Sequence, residues 1–229
     1  GIRAKNKRKT VFDLLKRNKY DAICLQESYI TKEVSEDWKK EWGGELMFSV
    51  GTAHSGGLVI LLRKGFSCSC DVIYVSERLL AVNVDIGGKS VVVINAYAPN
   101  TIIEKNTFFE KTIDVINNLR VDDLILCGDF NCVLNNNMDI ISGEKHAAGM
   151  VEKFNDVLNR CDLQDVWRLF HLDEKEYTWS KRNPFIARRL DYVLSSSNVF
   201  DKVINCDIVS VPMSDHRGCL LVLKFTDTV

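Results

Sequence analysis

The 229-residue chain contains only three prolines and no Pro/Gly-rich stretch, so nothing in it reads as a linker between folded parts. No apolar run approaches the roughly 20 residues that a membrane span needs. The basic start, GIRAKNKRKT, leads into no apolar signal core, so neither a membrane nor a secretory route is expected. Net charge is also lacking: 30 Lys and Arg stand against 31 Asp and Glu, which leaves −1. No global basic field announces a nucleic-acid partner, and any such partner would be met by a local patch. Finally, the eight cysteines include no C-x-x-C pair. Scattered through strand-like runs, they fit buried reduced thiols of a cytosolic or nuclear protein rather than a disulfide framework or a thiolate zinc site.

What the chain does have is a long series of short apolar runs between helical patterns. Residues 4–19 place Val11, Phe12, Leu14 and Leu15 on one stripe with Lys and Arg opposite, which predicts a helix. DAICLQE reads as a short buried strand ending in Gln26 and Glu27, and EDWKKEW, with Trp38 and Trp42 four apart, as a short helix. The runs ELMFSV, GGLVILL, CSCDVIYV, LLAVNVDI and SVVVINAYAP follow as strands. Their connections are so tight that antiparallel pairing is expected.

NTFFEKTIDVINNL is a helix by the spacing of Phe108, Phe109, Ile113, Ile116 and Leu119. DDLILCGDFN is another strand ending in acidic and amide groups, and AGMVEKFNDVLNRC another helix. EYTWS and RRLDYVLSS are expected as strands on either side of a basic loop, KRNPFIA, and VINCDIVSV and GCLLVLKF as the closing strands. Many strands with few helices predict an α/β fold of two packed sheets with helices outside, as a single domain over residues 1–229.

Polar groups recur where these apolar runs end. Glu27 ends the first strand, Asn95 and Tyr97 another, Asp129 and Asn131 follow LILCG, Asp191 lies in RRLDYVL, and Ser214-Asp215-His216 precede the last strand. Each could be a turn or a structural ion pair taken alone. Together they put acids, amides, a phenol and an imidazole beside runs that must be buried, where a carboxylate needs a partner, a metal or a proton. Oxygen donors such as Glu27 favour a hard cation, Mg²⁺ or Mn²⁺, over zinc. An imidazole paired with a carboxylate suits stabilisation of negative charge at phosphorus.

The ordered series LQE, NAYAPN, GDFN, RRLDYVL and SDH resembles that of the endonuclease/exonuclease/phosphatase superfamily, over nearly the whole chain. The resemblance implies a four-layer sandwich of two packed mixed β-sheets flanked by helices. NKRKTVFDLLKRNKYDAICLQESYIT, WKKEWGGELMFSVGTAHSGGLVILL and YTWSKRNPFIARRLDYVLSSS are most similar to the apurinic-like endonuclease domain of LINE-type (non-LTR) retrotransposon proteins. Abasic-site repair enzymes usually follow GD-x-N with Ala-His, where this chain has CVLNNNMD.

What the resemblance implies for single residues is specific. Glu27 would be the principal metal ligand, with Asp215 a further acid near the metal. Asp129 would orient or deprotonate the attacking water, and Asn131 would bind the scissile phosphate. Asp191 and His216 would form the carboxylate–imidazole pair, Tyr97 would donate its hydroxyl to phosphate, and Asn95 would support the site. Thr178 and Ser214 resemble DNA-contacting or supporting positions. Lys181, Arg182, Arg188 and Arg189, in the segment KRNPFIARR, resemble a hairpin that enters DNA near the cut. His54, in GTAHSGG, reads as a plain surface histidine.

In this family a strand ending in Asn-x-Asn-Gly carries an asparagine that supports the metal site. Gly1 matches the glycine of that pattern. Either the protein continues before Gly1, or the domain lacks that strand and its asparagine. The implied activity is a Mg²⁺-dependent endonuclease that nicks one strand of double-stranded DNA and leaves a 3′-hydroxyl to prime reverse transcription. A reverse transcriptase domain would lie beyond residue 229. The work would be nuclear, with a cytoplasmic ribonucleoprotein stage before import. An abasic-site repair endonuclease, a catalytically dead DNA-binding descendant and a lipid or inositol phosphatase are the rival readings.

Overall fold

A computed structural model describes residues 1–225 and divides the chain into two compact units, residues 1–97 and the unit that starts at Ala98. The first runs α1 (Lys5–Asn18), β1 (Ala22–Leu25), α2 (Lys32–Trp42), β2 (Glu45–Phe48), β3 (Val59–Leu62), β4 (Ser69–Val75), β5 (Leu79–Ile86) and β6 (Lys89–Tyr97). Strands β1 and β2 flank β3, and β4, β5 and β6 form a second ladder, all antiparallel as the tight connections predict.

Strand β3 explains the layering. All four of its residues are buried, so both faces are covered. Ile60 and Leu62, with Leu58 before the strand, pack against Leu80, Val82 and Val84 of β5. Val59 and Leu61 point the other way, into Phe12 of α1 and Trp38 and Trp42 of α2. Burial of an apolar side chain of this size contributes about 2 kcal/mol, and every layer of the unit draws on β3. The two helices are joined by Arg8, which lies 4.7 Å over Trp38 and reaches Glu41 at 2.6 Å. Helix α2 starts earlier than EDWKKEW suggests, at Lys32, and stops at Gly43, whose φ of 80° suits glycine.

The second unit contains α3 (Ile102–Leu119), β7 (Leu124–Asp129), β8 (Ile140–Ile141), α4 (Ala148–Arg160), β9 (Leu163–Asp165), α5 (Val166–Phe170) and β10 (Trp179–Lys181). It continues with β11 (Ile186–Arg188), β12 (Asp191–Ser196), α6 (Ser197–Phe200), β13 (Val203–Val209) and β14 (Gly218–Leu223). Strand β12 lies between β7 and β9, antiparallel to both. Helices α3 and α4 meet over this ladder through Phe109 and Phe154, stacked 5.1 Å apart, and Phe154 continues onto Phe130 and Tyr192. Strands β13 and β14 form a separate ribbon.

Two expectations change here. Helix α3 begins at Ile102, because Thr101 caps it by accepting the Glu104 N–H at 3.4 Å. The segment expected as a loop between EYTWS and RRLDYVLSS is itself a hairpin: Trp179–Lys181 pairs with Ile186–Arg188, and β8 pairs with the second leg. Strand β12 starts only at Asp191, since Arg189 and Leu190 leave the hairpin for the interior. No helix among the described residues is long and apolar enough to cross a membrane.

Candidate active site

The register of β12 against β7 sets Asp191 directly opposite Asp129. Two carboxylates on adjacent strands repel unless something positive stands between them. That group is His216, which leads into β14 and whose Nδ1 lies 2.8 Å from the Asp191 carboxylate. Ligand-bearing atoms of Asp129, Asp191 and His216 all fall within 4.8 Å of one another. Burial works against the imidazolium, but the hydrogen bond and charge of Asp191, with Asp129 and Asp215, outweigh it and push His216 up to about 9. At neutral pH this ring is a cation.

His216 is also fixed through its backbone. Its N–H donates to the Ser214 hydroxyl at 3.0 Å, and it bridges to Trp179, whose indole N–H reaches Asp215 at 3.3 Å. The Ser-Asp-His segment is therefore both a turn and the bearer of a charged group. Among the described residues, Asp129, Asp191 and His216 come together, while the exposed Asp215 carboxylate accepts from Trp179.

The GDFN turn carries the next groups. Asn131 sits in the left-handed region at φ 46°, and its backbone N–H donates to Asp129 at 2.8 Å. Its side-chain amide donates to the Ala98 carbonyl at 2.9 Å. One participant went unseen in the sequence: Lys105 of α3, 7% exposed, donates Nζ to the Asn131 carbonyl. The available signal was a charge on the stripe of Phe108, Phe109 and Thr112.

The first unit holds a second constellation. Glu27 follows β1 at a φ of 48° and accepts the Tyr97 hydroxyl. Asn95, fully buried, donates to the carbonyls of Leu25 and Val59, both at 3.0 Å, and accepts from Gln26 at 2.6 Å. It thereby ties β6 to β1 and β3 and fixes the strand end from which Glu27 projects, a supporting position as expected.

Two positions expected to touch DNA belong to the scaffold. Thr178 is fully buried, and its hydroxyl accepts the backbone N–H groups of Leu190 at 2.9 Å and Asp191 at 3.0 Å. Arg189, 1% exposed, is bidentate on Asp165 at 2.6 and 3.0 Å and reaches Asp139 at 2.9 Å. It also lies 4.3 Å over Tyr192. A guanidinium so enclosed has no surface for a phosphate. Lys181 and Arg182 are exposed near the hairpin tip, and Ser214 is exposed in its turn. Arg188 is half-buried and donates to the Glu144 carbonyl at 2.9 Å.

Asp129 and Asp191 offer hard oxygen donors that fit Mg²⁺ or Mn²⁺. His216 spends Nδ1 on the Asp191 carboxylate, which favours its charged form. The cluster suits a cation held by carboxylates with an imidazolium beside it.

Carboxylates and an imidazolium gathered at strand ends form the kind of preorganised charge that can stabilise a developing anion. The chain belongs to the Endonuclease/Exonuclease/phosphatase family, whose model matches residues 2–216. It is 27% identical over 212 residues to the Transposon TX1 uncharacterized 149 kDa protein of Xenopus laevis, covering 90% of this chain and 16% of that protein. The chain thus spans about one sixth of that relative's length. Among solved structures it is similar to AP endonuclease LMAP from Leishmania major, at 17% identity and a TM-score of 0.81, covering 99% of this chain and 85% of the other. An AP endonuclease from Archaeoglobus fulgidus gives 21% and 0.75, over 97% and 96% of the two chains. The 3′ phosphatase NExo from Neisseria, bound to product DNA hairpin, gives 20% and 0.78, over 96% and 95%. At these identities the structures establish the fold, and it is the α/β class expected.

Proposed function

We propose that this chain is the endonuclease domain of a LINE-type retrotransposon protein. It nicks one strand of double-stranded DNA with a divalent metal ion, Mg²⁺ or Mn²⁺, and leaves a 3′-hydroxyl that primes reverse transcription at the target. The observation that carries the chemistry is the Asp129–Asp191–His216 cluster, with its imidazolium held 2.8 Å from Asp191. Similarity to a transposon protein supports the biological setting, and a reverse transcriptase domain further along the same polypeptide, acting in the nucleus, completes the reading.

Each residue takes a role its surroundings support. Asp129 orients a water for attack at phosphorus and accepts its proton. The Asn131 amide hydrogen-bonds a phosphate oxygen. His216, kept charged by Asp191, meets the negative charge that grows on the phosphoryl oxygens as the P–O bond to the leaving 3′-oxygen breaks. Lys181 and Arg182 make contacts to the DNA backbone. The Asp129 and Asp191 carboxylates are the oxygen donors that would hold the metal ion, which would supply charge neutralisation to the phosphate.

The test is conversion of supercoiled plasmid to open circle with Mg²⁺, with EDTA, and with His216→Ala. Metal-dependent nicking that disappears in the variant, at ends a polymerase can extend, supports the proposal. DNA binding without nicking at any metal concentration would identify a binding descendant instead. The structural likeness to AP endonucleases makes abasic-site cleavage the second reading, and preference for an abasic duplex over an intact one would favour it.

A further inference from the structure

The buried face of α3 runs through Lys105, Phe108, Phe109, Thr112, Ile113 and Ile116. A helix whose only task was to cover a sheet would begin that stripe with an aliphatic residue. Burying an ammonium costs several kcal/mol unless specific partners offset it. Lys105 is 7% exposed, and among the described residues its hydrogen bond is specific: Nζ donates to the Asn131 carbonyl at 2.5 Å. Burial drags its pKa down, while Cys132 and Asp129 favour its charged form.

That carbonyl belongs to a left-handed residue. Asn131 lies at φ 46°, a region that Asn enters more readily than other non-glycine residues and in which hydrogen bonds select one geometry. Three contacts do so. The N–H goes to Asp129 at 2.8 Å, the side-chain amide to Ala98 at 2.9 Å, and the carbonyl to Lys105. The first two engage groups that must also face a substrate. Lys105 alone approaches from the buried side.

We infer that Lys105 is a positioning residue: its ammonium clamps the Asn131 carbonyl from within, locking the left-handed turn that aims the Asp129 carboxylate and the Asn131 amide. Only the kinetic part of its test rests on the nuclease proposed above. Lys105→Met removes the clamp, and Lys105→Arg keeps charge and donors. In amide hydrogen exchange, the Asn131 N–H of the Met variant loses protection at least tenfold relative to the amides of β7, and Arg restores part of it. In plasmid nicking, kcat falls on the order of ten- to a hundredfold with KM within about twofold, after correction for folded fraction.

Should Lys105→Met fail to fold, Lys105→Gln, which keeps a shorter neutral donor, is read in the same way. An Asn131 amide as protected in the folded variant as in the wild type overturns the inference. A wild-type chain that cuts no DNA overturns the nuclease reading, and the exchange measurement still decides the role of Lys105.

Discussion

The hydroxyl of Thr178 accepts the backbone N–H of Asp191 at 3.0 Å, and of Leu190 at 2.9 Å. The chain therefore enters β12 with both amides bound to a side chain rather than to water. Thr178→Val keeps the shape and removes the acceptor, stranding two buried donors. We expect a loss of about 1–3 kcal/mol in urea unfolding, with Thr178→Ser close to wild type. The same variant loosens Asp191, so nicking falls by more than the folded fraction does.

Arg189 and Arg182 separate the scaffold from the surface proposed to face DNA. Arg189→Met leaves Asp165 without its ion pair and Asp139 with Arg168 alone, and unfolding shows a loss of about 3 kcal/mol. Arg182 is exposed, so Arg182→Ala leaves stability unchanged. It lowers the slope of log affinity for DNA against log salt by about 1. An Arg189 variant of full stability would sink the burial assignment.

Two histidines oppose each other in the response to pH. Burial, with Arg188 and Lys105, lowers His146 to about 4, while Asp191 raises His216 to about 9, from an ordinary value of 6.5. Between pH 4 and 6.5 the unfolded chain binds a proton at His146 that the folded one refuses, so stability rises with pH. The His216 contribution is complete below 6.5 and is lost as pH rises through 9. Each limb is on the order of 1–2 kcal/mol after allowance for partial exposure. Urea midpoints across this range peak near pH 6.5; His146→Ala flattens the acid side and His216→Ala the alkaline side.

Asp191→Asn isolates the origin of the charge on His216. The hydrogen bond and the negative charge of Asp191 stand first among the effects that overcome burial. Imidazole resonances followed by NMR in metal-free protein titrate near pH 9 in the wild type. In the variant the midpoint drops by more than a unit.

Most elements were legible in the sequence because period and punctuation agree. LLAVNVDI is β5 to the residue, its two ends marked by the turns around Arg78 and Gly87. GDFN and SDH were legible as chemistry because their polar groups adjoin apolar strands. What stayed hidden depends on long-range partners. Arg189 looks like any cation in KRNPFIARR until Asp139 and Asp165 close over it. Lys105 lies one residue before the segment NTFFEKTIDVINNL, so its place on the buried stripe appears only once Thr101 is known to start the helix. Thr178 reads as a strand-end hydroxyl, because its role lies in backbone amides that carry no sequence signature.

The hairpin of β10 and β11 is anchored at its base, along β8, and by the Ser142 hydroxyl, which donates to the Phe185 carbonyl. Thr178 and Arg188 join at the base through a backbone hydrogen bond of 3.0 Å, Arg217 donates to the Thr178 carbonyl at 2.6 Å, and one leg runs on to Asp191. Between those anchors the tip residues Arg182, Asn183 and Pro184 are exposed. Lengthening such a loop costs only about 0.6 kcal/mol for each doubling. Under the proposed function, the three-residue tip could then vary in length and charge without disturbing the Asp129–Asp191–His216 cluster, leaving where the domain acts free to change separately from how.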